Sequence, residues 1–179
     1  MLSWQRRFEF EEDNGAQTGS PLRGTTTTAA RTEVNWKNVD DSTTAYSSSP
    51  ILAGNNSYTK FQYGHYSGSY NQISAGLWAH TAGTLGTGLT LKGVVTSSYA
   101  TPATSANGAL TTDMTSSIAI GSGATVLFSG TGPYDASPTS STTSNPAYSQ
   151  YLATQLQTTG SAAAGDTATV TLTLQYNEN

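Results

Sequence analysis

A strict alternation of apolar residues and threonine near the C-terminus is the feature that most limits how this chain can fold. Within residues 166–176, Ala, Val, Leu and Tyr occupy the even positions from 168 onward, and threonine occupies positions 167, 169, 171 and 173. Successive side chains of a β-strand point to opposite faces of its sheet. The segment is therefore predicted to be a strand with one apolar face, and its threonine face is expected to meet solvent or a polar contact between subunits.

The same period of two recurs earlier in the chain, between segments rich in glycine and serine. Residues 148–158 also fit helical spacing, but their alternation favours a strand. Strands joined by the short connections at residues 67–69 and 160–165 are expected to be antiparallel neighbours. The remaining predicted strands are residues 57–66, 71–80, 89–97, 116–120 and 125–129, and a long loop is expected at 130–145.

About seven short strands at this spacing, with polar loops and no clear helix, are typical of a two-sheet protein. The sequence therefore predicts an all-β chain: an antiparallel β-sandwich of immunoglobulin-like or jelly-roll-like arrangement, with an extended N-terminal arm. Ser and Thr supply 54 of the 179 residues, and charged residues only 10%. Since about 25% charged residues is usual, hydroxyl groups are expected to make much of the contact between this surface and water.

The charged residues are concentrated at the N-terminal end. Residues 1–41 hold 12 of the 18 Asp, Glu, Lys and Arg side chains and few aliphatic residues. Such a composition predicts a charged, extended or partly disordered N-terminal arm over 1–41, outside the core of a β-sandwich domain over 42–179. The arm is interpreted either as a disordered leader or as a segment that orders by docking on a neighbouring subunit. Its anchors would then be Trp4, Phe8 and Phe10.

Composition also excludes several classes of protein. The chain has no cysteine, which removes disulfide frameworks and thiolate chemistry. Its net charge of −4 and seven cationic side chains argue against nucleic acid as a partner. No segment approaches the roughly 20 apolar residues of a membrane-spanning helix, and the first 30 residues lack the apolar block of a secretory signal. No membrane partner is expected.

Few residues of the body could carry out catalysis. His65 and His80 lie near the ends of two predicted strands, so with Asp113 or Asp135 they could hold a metal ion, but no ligand spacing supports such a site. No nucleophile motif accompanies the abundant serines. Asp40 and Asp41 are adjacent and are expected to end the segment 36–39, with Asp41 or Ser42 capping a turn. The sequence therefore predicts a protein that is not an enzyme, with no catalytic residue, metal or cofactor.

Tyrosine is unusually frequent between residues 46 and 70. Such rings suit a contact between subunits, a platform that stacks on carbohydrate, or ordinary filling of a sandwich. Because both faces of the strand at 57–66 carry rings, an assembly is expected to cover it. The candidate interface or glycan surface consists of Tyr58, Tyr63, Tyr66, Tyr70 and Trp78.

Three segments, residues 40–57, 83–93 and 164–178, resemble small β-sandwich structural proteins of tailed-bacteriophage virions, components of the head, neck or tail. The resemblance covers residues 34–179. It implies a non-enzymatic structural role in many copies per particle, as a capsid decoration or cement protein or as a neck, tail or baseplate component. It also implies a homo-oligomer whose partners are copies of itself and other virion proteins, assembled in the host cytoplasm and finally located in the virion.

The alternative prediction is a protein of another class. A carbohydrate-binding β-sandwich module would recognise host surface glycans through the tyrosines of residues 58–70 and through Trp78. The loss of glycan binding on replacing Tyr63 or Trp78 by alanine, with the fold retained, would distinguish it from a virion component.

Overall fold

The structure is a computed structural model that describes residues 7–16, 29–30, 33–41, 43–67, 73–96, 99–105, 110, 112–114, 119–120, 151–165 and 169–178. These residues form one short 3₁₀ turn, Tyr46–Ser48, and nine β-strands. The strands are β1 (Arg7–Asp13), β2 (Ala29–Ala30), β3 (Lys60–Ser67), β4 (Ile73–Ala82), β5 (Leu89–Thr96), β6 (Thr112–Asp113), β7 (Ala119–Ile120), β8 (Tyr151–Thr158) and β9 (Thr171–Glu178).

The strands build two sheets in which every pair is antiparallel. The larger sheet has the order β2-β1-β3-β8-β5-β6, and the smaller has the order β7-β4-β9. The predicted all-β, antiparallel two-sheet fold is therefore confirmed. Among the described residues, no helix has the length and apolar character needed to cross a bilayer.

One hydrophobic cluster joins the two sheets. Trp78 and Leu174 come from β4 and β9 of the smaller sheet, and Leu91 and Leu152 come from β5 and β8 of the larger one. Met114 completes the cluster. Burying each such side chain contributes roughly 1.5–3 kcal/mol, so this layer holds the sheets face to face as in a sandwich.

A second cluster covers the opposite face of the larger sheet. Its buried members are Phe61, Tyr63, Leu110, Tyr151 and Ala153. Since neighbouring residues of a strand point to opposite faces, β8 sends Leu152 into the first cluster and the residues on either side of it into the second. Among the described residues, the centre of the larger sheet is thus buried on both faces by its own chain, so Phe61 and Tyr63 of the ring-bearing strand are covered without an assembly.

Individual strands were predicted better than their partners. The strands at 57–66, 71–80 and 89–97 are present as β3, β4 and β5, and 148–158 is a strand rather than a helix. β9 begins at Thr171 and directs Leu172 and Leu174 toward the core, as its alternation predicts. Residues 119–120 of the predicted strand 116–120 form β7. The predictions for 125–129 and 130–145 lie outside the described residues.

Two predicted hairpins are wrong. β3 lies between β1 and β8, whereas β4 lies between β7 and β9 in the other sheet. In the same way, β8 and β9 belong to different sheets. Alternation fixes which residues face the core, but it does not specify which strand lies alongside, so a short connection can equally lead from one sheet to the other.

The described parts of the charged N-terminal segment do not lie outside the core. β1 pairs with β3 through seven consecutive residue pairs, from Arg7 opposite Ser67 to Asp13 opposite Phe61. The Phe10 ring lies 5.4 Å from the Trp78 ring, measured between centroids. The described parts of residues 1–41 are therefore integrated with the sandwich, because distant side chains compensate their buried charges.

Candidate functional site

The most unusual feature of the described residues is a group of charged side chains inside the fold. Glu12, Asp13, Lys37 and Lys60 are each between 1% and 3% exposed. Together with the half-buried Asp41, we call them the carboxylate–lysine cluster. Lys, Glu and Asp are almost never fully buried unless they are paired, so the contacts of this cluster decide what it can do.

The inner part of the cluster fastens β1 to β3. The Lys60 ammonium lies 3.3 Å from Oε1 of Glu12, and the Gln62 amide donates a 3.0 Å hydrogen bond to Oε2 of the same carboxylate. Glu12 and Gln62 are also directly opposite in the strand register. Both oxygens of the Glu12 carboxylate are thus bound by side chains of the neighbouring strand, which offsets the cost of burying it.

The segment 33–41 is attached to the same region through lysine and backbone contacts. Lys60 also donates to the backbone oxygen of Asp41 at 3.1 Å, and the Lys37 ammonium lies 2.8 Å from Oδ1 of Asp41. The Trp36 indole N–H donates to the Thr154 hydroxyl of β8 at 3.1 Å. This segment is therefore fixed to both β3 and β8.

Asp41 caps the turn that follows it, as predicted. Its Oδ1 accepts the backbone N–H groups of Thr43 and Thr44 at 3.0 and 2.7 Å, and its Oδ2 accepts the Thr44 hydroxyl at 2.6 Å. The hydrogen bond from Lys37, followed by that from the Thr44 side chain, holds the pKa of Asp41 well below its usual range. The carboxylate is accordingly stabilised in its ionised form.

The second part of the cluster is the Asp13 carboxylate, which is contacted by two tyrosine hydroxyls. Tyr151 donates a 2.6 Å hydrogen bond to Oδ2 of Asp13, and the Tyr63 hydroxyl lies 3.4 Å from Oδ1. The Tyr63 and Tyr151 rings meet edge to face, with centroids 5.3 Å apart. The two hydroxyls are therefore polar partners of the buried Asp13 carboxylate.

The loop after β1 is tied to the same region. Gly15 donates its N–H to Oδ2 of Asp40 at 2.8 Å, and its carbonyl oxygen accepts the Tyr99 hydroxyl at 2.7 Å. Burial raises the pKa of Asp40 above its usual value. Burial and the charges of nearby carboxylates, Asp40 first, raise the pKa of Tyr99, so this hydroxyl keeps its proton as a donor.

The histidine-based metal hypothesis does not agree with the structure. His80 is 2% exposed, and its Nδ1 and Nε2 lie 2.8 Å from the carbonyl oxygens of Met114 and Ala82. His65 belongs to β3, in the other sheet. Within the described ranges, no group of three His, Cys, Asp or Glu side chains could hold a metal ion. Both ring nitrogens of His80 are therefore engaged by backbone carbonyl oxygens, which makes this a structural contact.

The predicted anchor and surface residues do not form one surface. Phe10 packs against the core cluster. Tyr63 and Trp78 are 0% and 2% exposed and belong to different clusters, one on each face of the larger sheet. Tyr58 is partly buried. In the strand register, Phe8 lies opposite Tyr66, and Trp4 and Tyr70 lie outside the described residues.

Sequence reasoning missed the carboxylate–lysine cluster. The available signal was the Phe-Glu-Phe-Glu alternation at residues 8–11, which is a strand pattern within a charged segment. The partners could not be deduced, because Lys60 and Tyr151 lie 48 and 138 positions from the acids they contact. The cluster joins three separate parts of the chain. We therefore interpret its ion pairs and hydrogen bonds as contacts that stabilise the fold.

Comparison with known proteins found no relative for this arrangement: no protein-family model, curated protein or solved structure matches the chain.

Proposed function

We propose that the chain is a non-enzymatic structural protein of a tailed-bacteriophage virion, present in many copies per particle. Its place would be that of a capsid decoration or cement protein, or of a neck, tail or baseplate component. The observation that supports this proposal best is that the carboxylate–lysine cluster makes contacts within the fold. Its charged groups contact one another, the backbone and buried tyrosines, and they fasten the N-terminal segment to the sheets.

Burial is the physical reason for favouring a structural role over catalysis. A general acid or base must come within hydrogen-bond reach of its substrate. Asp13 and Lys60 are 1% exposed, and their polar atoms already have protein partners. Such groups stabilise a fold, which suits a component that must keep its shape within an assembly. The virion as the specific setting is proposed from the resemblance inferred from the sequence of residues 34–179.

The carbohydrate-binding alternative is not supported by the positions of its key rings. A stacking platform needs aromatic faces that a sugar can reach. Tyr63 and Trp78 are buried on opposite faces of the larger sheet. Within the described part of the chain, the exposed large apolar side chains are Tyr46 and Leu52, of which Tyr46 alone has an aromatic ring.

The test of the proposed function is the protein content of purified particles. Virions purified by density gradient from a lysate of the phage that encodes this chain are analysed by quantitative mass spectrometry, with the major capsid protein as the internal standard. We expect a constant ratio that corresponds to many copies per particle. Recovery of the protein only in the unassembled fraction, or at a ratio that varies between preparations, would contradict the proposal.

A further inference from the structure

Among the described residues, the smaller sheet ends on one side at β9, whose partner strand in that sheet is β4. β9 has eight residues. Very short edge strands are a common protection against pairing with another chain, and β9 lacks that protection.

The sequence of β9 also lacks the other usual protections of an edge. Lysine and proline are the residues that most often guard edge strands, and neither occurs between Thr171 and Glu178. The pairing with β4 is regular from Leu172 to Gln175, with irregularities only outside this stretch. No other strand of the described residues pairs with β9, so the backbone N–H and C=O groups on the side that faces away from β4 have no strand partner within that part of the chain.

We propose that two copies of the chain pair through this edge, with β9 antiparallel to β9 of the second copy. The two smaller sheets then become one continuous sheet of six strands. The proposal deepens the proposed structural role, on which it rests, by naming the surface through which copies associate. It assigns that role to the C-terminal strand, in place of the N-terminal anchors expected from the sequence.

The residue pattern of β9 explains why a second copy is the partner. An antiparallel two-fold arrangement centred on Thr173 places Leu172 opposite the second copy's Leu174, and Thr171 opposite its Gln175. Apolar residues thus face apolar residues, and polar residues face polar residues, which is the arrangement that stabilises cross-strand pairs. Glu178, at the very end of β9, is its one residue with a charged side chain at neutral pH, so the central parts of the two strands meet without like-charge repulsion.

The β4–β9 pair already shows the contact that would be repeated. The hydroxyls of Thr81 and Thr173 lie 2.7 Å apart on the outer face of the smaller sheet. In the proposed dimer, Thr173 meets its counterpart from the second copy on its other side. A row of four threonine side chains would then cross the joined sheet, which gives the threonine alternation a role in assembly.

The test uses the mass of the full-length protein in solution, measured by sedimentation velocity over a range of concentrations. Thr171 and Gln175 are exposed, so replacing them should not disturb the core. We expect a dimer for the natural sequence. The double variant Thr171→Lys, Gln175→Lys should be a monomer, because the proposed register places two pairs of like charges opposite each other.

A charge-reversed variant tests the register itself. In Thr171→Lys, Gln175→Glu, each introduced lysine faces an introduced glutamate of the second copy, so the dimer should return. Unchanged far-ultraviolet circular dichroism would show that both variants are folded. A natural chain that stays monomeric, or a lysine double variant that stays dimeric, would overturn the proposal, as would failure of the Lys–Glu variant to dimerise.

The lack of cysteine allows a second, independent test. Under mild oxidation, Thr173→Cys should yield a disulfide-linked dimer, because the two introduced thiols lie directly opposite each other. The matched control is Thr81→Cys on β4. Its counterpart would be three strand spacings away, about 14 Å, beyond the reach of a disulfide. Equal cross-linking of the two variants would overturn the proposed pairing.

The outcomes separate this proposal from the proposed function. A natural chain that is monomeric in solution yet present in many copies in virions overturns the β9 pairing and leaves the structural role intact. A β9-dependent dimer that is absent from virions has the opposite meaning: the pairing is supported, and the virion role is overturned.

Discussion

The Tyr151 hydroxyl of β8 donates a 2.6 Å hydrogen bond to the Asp13 carboxylate of β1, across 138 positions of the chain. β3 lies between these two strands, so the bond spans the centre of the larger sheet. Both residues are almost completely buried. The contact shows that the acidic N-terminal strand belongs to the core, and that its acids are stabilised by partners far along the chain.

Replacing Tyr151 by phenylalanine should therefore lower the free energy of unfolding by about 1–3 kcal/mol, because a hydroxyl partner of a buried carboxylate is lost while the ring remains. Urea denaturation measures this change. The matched control is Tyr63→Phe, whose hydroxyl lies 3.4 Å from Asp13 and whose loss should cost less. Equal losses for the two variants would show that the shorter contact has no special importance.

Replacing Lys60 by methionine should lower the free energy of unfolding by about 3–5 kcal/mol, since it removes the ammonium that pairs with the buried Glu12. The double variant Lys60→Met, Glu12→Gln should lose less than the two single variants added together. Lys92→Met is the control: its pair with Asp113 is partly exposed, at 3.7 Å, and should contribute less than about 1 kcal/mol. Additive losses at Lys60 and Glu12 would contradict the pairing.

Asp41 and Asp40 should affect acid stability in opposite directions. The folded pKa of Asp41 is lowered, chiefly by Lys37, so the unfolded chain takes up a proton first as the pH falls below about 4, and stability is lost. Asp41→Asn should therefore flatten this acid decline. The pKa of Asp40 is raised by burial, so Asp40→Asn should steepen it. Thermal midpoints between pH 7 and 2 measure both slopes, and parallel curves would contradict the assignment.

Deleting residues 1–33 should unfold the protein, because the deletion removes β1 and with it Glu12, Asp13 and Phe10. Lys60 and the Trp78 cluster would lose their covering contacts. Circular dichroism and limited proteolysis measure the result. The matched control removes residues 1–6 and leaves β1 complete, so it should keep the β1–β3 pairing and remain folded. A folded 34–179 fragment with an unchanged midpoint would show that β1 is dispensable.

The sequence was sufficient to predict most of the strands. Alternation identified β5, β8 and β9, and at 148–158 it correctly favoured a strand over a helix. Each of these patterns is local, and a strand directs alternate side chains to opposite faces regardless of its neighbours. Pairing is not local, so β3 and β4 were assigned to one hairpin although they lie in different sheets.

The carboxylate–lysine cluster could not be predicted for a related reason. Charge density in residues 1–41 favoured an arm outside the core, because an uncompensated carboxylate is costly to bury. The buried carboxylates are compensated by Lys60, Gln62 and Tyr151. No pattern in the sequence near Glu12 or Asp13 predicts these partners. The partners of the buried His80 could not be predicted either, since they are the backbone carbonyls of Met114 and Ala82.

Reconstruction of purified particles by electron cryomicroscopy tests the proposed structural role most directly. The two-sheet fold, fitted as a rigid body, is predicted to occupy density at many symmetry-related positions, with the β9 edges of neighbouring copies side by side. The account would be contradicted if the particles lack this chain and other proteins account for the density at every such position.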